Sequence, residues 1–90
     1  MQKEKIVFAC GPYKLDGQDI TEVMIRRPKV RDSLAARKSA DSGDYEVTII
    51  SNLTGLPVEV LVDMDLYDYG LLQTAYANFT RQPPNKSGPT

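Results

Sequence analysis

The chain predicts an α+β fold: an N-terminal antiparallel β-hairpin packed by three to four short α-helices, with a disordered C-terminal tail. Three features carry that expectation. Apolar and polar residues alternate from Ile20 to Arg26 and the alternation stops at Pro28, because proline removes a ladder donor and disfavours helix at the residue before it. Asp16-Gly17 stands ahead of that stretch as a hairpin turn signal. Beyond Pro28 the apolar residues recur at helical spacing instead.

Residues 4 to 15 read as an extended arm. Ile6, Phe8 and Cys10 alternate with Val7 and Ala9, Gly11-Pro12 interrupts the pairing as a bend or bulge, and Tyr13 and Leu15 resume it. The strand from Ile20 to Arg26 returns antiparallel, with Thr21, Val23 and Ile25 on one face and Ile20, Glu22, Met24 and Arg26 on the other. Two strands are barely stable alone in water, so helices must cover one face.

After Pro28, Val30 and Leu34 with Ala35 give a short helix whose Arg37 and Lys38 suit the C-terminal end of its dipole. Ser39 to Gly43 is a connecting loop. A second helix starts near Asp44, carries Tyr45, Ile49 and Leu53 on one side, and stops at Gly55, where glycine accepts a left-handed backbone. Pro57 opens a third helix bearing Val58, Leu61 and Val62. Asp65 caps a fourth, with Asp68 complementing its N-terminal dipole. Leu66, Tyr69, Leu72 or Gln73, Tyr76 and Phe79 form its core stripe, while Gly70 weakens it by about 1 kcal/mol unless close packing needs the missing side chain. Residues 81–90 have no apolar anchor and read as the disordered tail.

Ninety residues support one hydrophobic core, placed in a single domain over residues 1–80. An apolar fraction of 41% beside 26% charged residues is ordinary for a globular domain and argues against global disorder. No apolar run approaches the roughly 20 residues that cross a bilayer, and Met-Gln-Lys-Glu-Lys lacks the long apolar segment of a signal peptide, so a cytoplasmic protein is expected. Cys10, the single cysteine, reads as a small buried hydrophobe. Histidine is absent, and no phosphate-binding glycine loop, nucleophile with its base, or cysteine metal cluster appears. No enzyme, catalytic residue, metal site or cofactor is therefore expected. Asp63, Asp65 and Asp68 resemble the start of a calcium loop but lack its central glycine and bidentate glutamate, and helix capping accounts for them.

Charge is divided along the chain. Arg26, Arg27, Lys29, Arg31, Arg37 and Lys38 form a basic segment, whereas Ser39 to Thr80 carries seven acids and neither lysine nor arginine. Such a division can steer partners or self-association. Short helices next to basic residues also allow an alternative, a small helix-turn-helix-like DNA-binding regulator of a prophage, although the acidic balance opposes the usual basic footprint. On the last helix, Tyr67, Leu71 and Ala75 make a second apolar row outside the core stripe, and these three are the candidate partner-binding residues.

Three motifs in order, "GxxIT…xxRxP" at Gly17 to Pro28, "TGL" at Thr54 to Leu56 and "DxxDY" at Asp65 to Tyr69, resemble the tail assembly chaperones of Mu-like and related contractile-tailed bacteriophages. The resemblance runs over most of residues 6 to 80. It implies a non-enzymatic virion assembly factor in the bacterial host cytoplasm that binds the tape measure protein and keeps it soluble until the tail tube forms around it. It also implies self-association or partnership with a frameshift-extended form of the same protein, for which Pro83-Pro84-Asn85 permits the slippage string C CCA AAC.

Overall fold

The computed structural model describes residues 3–39 and 45–82. Most of the expected connecting loop, and the tail from residue 83, lie outside the described residues. Within them the order is β1 (Lys3–Val7), β2 (Tyr13–Leu15), β3 (Gln18–Ile20), β4 (Glu22–Arg26), α1 (Val30–Ser39), α2 (Tyr45–Thr54), α3 (Val58–Val62) and α4 (Leu66–Arg81). The fold is α+β, with the antiparallel strands first and four helices after them.

The strands form one hairpin broken into two ladders. β1 pairs with β4 in a register that places Ile6 opposite Val23, and β2 pairs with β3, placing Tyr13 opposite Ile20. Asp16 (φ 52°) and Gly17 (φ 80°) close the tip. Positive φ at both central residues matches the right-handed twist of the flanking strands. Between the ladders, residues 8–12 stand opposite Thr21 alone, and the Phe8 amide still donates to the Thr21 carbonyl at 2.9 Å. The proline interruption is thus a wide break rather than a one-residue bulge. In β4 the period of two holds: Ile25 is fully buried and Val23 half-buried, while Glu22 and Met24 are exposed. Ile20, expected to share a face with Glu22 and Met24, is half-buried against the core while those two are exposed, because the chain changes ladder at Thr21.

Helix α1 turns a different face inward from the one its apolar residues suggested. Val30 and Leu34 are exposed, whereas Asp32 and Ala36 are buried. The cause is electrostatic. Asp32 takes a bidentate pair from Arg26 of β4, at 2.7 and 2.8 Å, and also accepts the Lys29 amide at 2.8 Å, closing the first turn of the helix from within. Residues two positions from Asp32 lie about 160° around the helix from it, so Val30 and Leu34 must face solvent.

Helix α2 is the centre of the core, with Ile49, Ile50 and Leu53 buried against β4, α1, α3 and α4. It stops as the sequence indicated. Gly55 adopts φ 80°, its amide bonds the Ser51 carbonyl at 2.8 Å, and the Thr54 hydroxyl accepts the Leu56 amide at 3.2 Å, which sends Leu56 back into the core. From α3 the core receives Leu61, and from the following turn Met64. Asp65 caps α4 by accepting the Tyr67 amide at 2.9 Å. α4 runs through Arg81, and the Gln82 amide bonds the Asn78 carbonyl.

Two glycines should respond oppositely to alanine. A Cβ at Gly70, inside α4, would meet nothing within 4 Å, so Gly70→Ala should raise stability by about 0.5–1 kcal/mol through helix propensity. Gly55 also has open space but holds a left-handed backbone, and Gly55→Ala should lower stability by about 1 kcal/mol. Urea-unfolding midpoints of the two variants, compared with the parent chain, measure both signs.

Candidate functional site

Asp68 lies in the first turn of α4 and is fully buried. Its carboxylate points into the break of the hairpin, where it accepts the Ala9 amide at 2.8 Å, the Cys10 amide at 3.0 Å and the Tyr13 hydroxyl at 2.5 Å. Beyond Phe8, whose amide reaches Thr21, the break has no opposite strand to satisfy its backbone donors, and one carboxylate accepts from the next two amides, Ala9 and Cys10. The Tyr13 oxygen in turn accepts the Asp65 amide at 3.2 Å, and the Tyr13 ring meets Phe8 edge-on, centroids 5.2 Å apart. Sequence reasoning gave Asp68 a role in complementing the N-terminal dipole of the last helix and did not foresee its contact with the hairpin. The "DxxDY" spacing was the available signal, since it sets two acids one turn apart with only the first needed as a cap.

Burial alone would raise the Asp68 pKa, but the Tyr13 hydroxyl and the Ala9 and Cys10 amides together hold it below the ordinary carboxylate range. Tyr13 is pushed up to about 12 by desolvation and by its bond to Asp68. Cys10, expected in the core, is exposed instead, because the break turns it away from the alternation of β1. Desolvation and the nearby Asp65 and Asp68 carboxylates raise its pKa, which keeps it a thiol rather than a nucleophilic thiolate.

The basic segment divides between interior and surface. Arg26 is held by Asp32. Arg27 donates to the carbonyls of Phe79 and Gln82 at the C-terminus of α4, with its guanidinium 5.6 Å from the centre of the Phe79 ring. Lys29, just before α1, and Arg31, Arg37 and Lys38 along it remain exposed. Glu46 accepts from the Tyr69 hydroxyl and from Gln73, each at 2.9 Å, tying α2 to α4; burial and Glu46 raise the Tyr69 pKa.

The three candidate partner-binding residues do not share one environment. Tyr67 is 61% exposed, Leu71 is half-buried against the core, and Ala75 is buried. Each step of four residues advances about 40° around a helix, so the row spirals from solvent onto the core meridian formed by Asp68, Leu72, Ala75 and Phe79. Leu66, placed by the sequence in the core stripe, is exposed beside Tyr67. The open apolar surface of this region therefore consists of Val62, Leu66 and Tyr67, at the corner between α3 and α4.

Among the described residues no group of three or more acidic, cysteine or histidine side chains is placed to hold a metal ion. Among the described residues, likewise, no helix is long and apolar enough to cross a membrane. Residues 10–81 match the family described as phage tail assembly chaperone proteins, E, or 41 or 14. No curated protein and no solved structure matches the chain.

The Asp68 network should be visible in the pH dependence of stability. The depressed pKa of Asp68 means that its contribution is complete above about pH 4 and is lost as pH falls through the lower folded value. The raised pKa of Tyr13 means that its contribution is complete below about pH 10 and is lost as pH rises toward about 12. Asp68→Asn should cost about 2–3 kcal/mol near neutral pH and flatten the acid limb, while Tyr13→Phe should cost about 1 kcal/mol and flatten the alkaline limb. Urea unfolding across the pH range reads both effects, and an Asp68→Asn protein with the parent's acid limb would refute the assignment.

Proposed function

The chain belongs to the family of phage tail assembly chaperone proteins, and from that premise we propose that it is a non-enzymatic chaperone for the tape measure protein. It acts in the cytoplasm of the bacterial host, holding that long, apolar, helical chain soluble until tail tube subunits polymerise around it. The supporting observation is the apolar corner between α3 and α4. Val62, Leu66 and Tyr67 are exposed large apolar side chains that fall within one short stretch of chain, from the end of α3 to the start of α4. Contiguous exposed apolar side chains on a small folded domain mark a surface used by a partner.

On this reading Tyr67 is the outer anchor, Leu71 forms the inner edge of the contact, and Ala75 supports that edge from the core side. Each client side chain covered at such a surface gains about 1.5–3 kcal/mol when fully buried, so a few contacts hold an apolar helix while leaving release possible when tube subunits compete. A frameshift-extended form of the chain would add client contacts beyond the residues described.

The DNA-binding alternative would require the arginines at the end of β4 to be free for phosphates. Arg26 and Arg27 are instead engaged by Asp32 and by the end of α4. The cations left on α1 surround exposed Val30 and Leu34, which suit a protein surface better than a phosphate backbone.

Co-expression with a segment of the tape measure protein should raise that segment's soluble fraction several-fold. Tyr67→Asp alters an exposed side chain, so it should preserve the circular dichroism spectrum while removing most of the gain. Undiminished solubilisation by the folded Tyr67→Asp protein would move the contact elsewhere.

A further inference from the structure

The α3–α4 corner is acidic as well as apolar. Along α3 and its C-cap, Val58 and Val62 lie one turn apart on one row and Glu59 and Asp63 one turn apart on the next, all four exposed. The chain then enters α4 with Asp65, Leu66 and Tyr67 exposed in succession. None of Glu59, Asp63 and Asp65 forms a salt bridge among the described residues. Between α3 and β2 a cavity of about 290 Å³ is lined by Tyr13, Lys14, Glu59, Val60 and Asp63. The Lys14 ammonium is held by Asp19 at 2.7 Å, so it does not neutralise the two carboxylates across the cavity.

We propose that the corner takes an amphipathic helix whose apolar stripe is flanked by lysine or arginine, and so selects among apolar client segments by charge. The proposal rests on the reading of this corner as the client surface and adds which segments it accepts. A helix laid over Val62, Leu66 and Tyr67 takes Glu59, Asp63 and Asp65 partly out of water. Carboxylates that lose water without gaining a cation oppose binding, and an acidic helix would add repulsion. A basic flank removes both costs. The cavity lets a long cationic side chain rest its methylene stem on Tyr13 and Val60 while its charge meets Glu59 and Asp63. The field points the same way at longer range, because Ser39 to Thr80 carries seven acids and neither lysine nor arginine, which speeds the approach of a cationic segment.

The test uses the full chain and two designed helical peptides that share one leucine stripe, flanked by lysines in the first and by glutamines in the second. Fluorescence anisotropy should show the lysine peptide binding about fivefold to tenfold more tightly at low salt, and the gap should close as salt screens the charges. Glu59→Gln with Asp63→Asn should remove most of the preference, and Glu59→Lys with Asp63→Lys should turn it toward the glutamine peptide. Both positions are exposed, so the circular dichroism spectrum should be unchanged, and the neutral pair carries the test by itself if the reversed pair fails to fold. Leu66→Ser with Tyr67→Ser should weaken both peptides alike. Equal binding of the two peptides by the parent chain, or a preference that survives in the neutral pair, would overturn charge selection and leave the client surface standing. Binding of neither peptide, or full binding by the folded Leu66→Ser and Tyr67→Ser double variant, would overturn the client surface and the selection with it.

Discussion

Asp68 reaches from the first turn of α4 into a stretch of hairpin that has lost its opposite strand, and the arrangement of the two halves of the fold follows from that contact. A break as wide as residues 8–12 exposes backbone donors that the ladder no longer satisfies, and buried donors without acceptors are costly. The carboxylate accepts from Ala9, Cys10 and Tyr13 together. With those bonds made, the break becomes a socket for the start of α4. At the other end of the same helix, Arg27 from the end of β4 takes the terminal carbonyls and stacks on Phe79. The hairpin thus grips α4 at both ends, through an anion at the positive end of the helix and a cation at the negative end.

A second pair works on the same logic at the hairpin exit. Arg26 and Asp32 fix the angle at which α1 leaves the sheet and the rotation of α1 about its own axis. The pair holds Asp32 well below the usual carboxylate range, through the Arg26 bond and the Lys29 amide acting against burial. Because Asp32 must face inward, Val30 and Leu34 of α1 face outward, and the basic residues beside them become a surface rather than part of the core.

The motifs that identify the family are, in this structure, largely the devices that hold the fold together. Gly17 closes the hairpin tip, Thr21 receives the Phe8 amide, Arg26 anchors α1, and Thr54-Gly55-Leu56 turns the chain out of α2. Asp65 caps α4 and Asp68 locks it to the hairpin. Residues doing such work tolerate few substitutes. The surfaces available to partners, at the α3–α4 corner and on the outside of α1, carry none of these constraints beyond exposure and charge. Family membership can therefore be legible in residues whose work is to hold the fold.

What the sequence determined by itself were the features set by neighbours along the chain. These are the α+β order, the Asp16-Gly17 turn, the end of the sheet at Pro28, the stop of α2 at Gly55 and the cap at Asp65, all of which depend on backbone conformations that only certain residues adopt. The inward row of α2 was equally legible, because that helix is apolar on one side only. Periodicity failed where two faces of one helix were both plausible. Val30 and Leu34 looked like a core stripe, Leu66 looked buried, and Tyr67, Leu71 and Ala75 looked like one continuous row. The rotation of α1 and α4 was decided instead by Arg26 with Asp32, and by Asp68 with the broken hairpin. Those pairings join the helices to strands and loops that their own periodicity does not register, and Asp68 meets Ala9 across 59 positions of sequence. A buried carboxylate with the right donors outweighs an apolar side chain that merely prefers burial, because leaving the charge unpaired in the interior costs more than leaving a leucine in water.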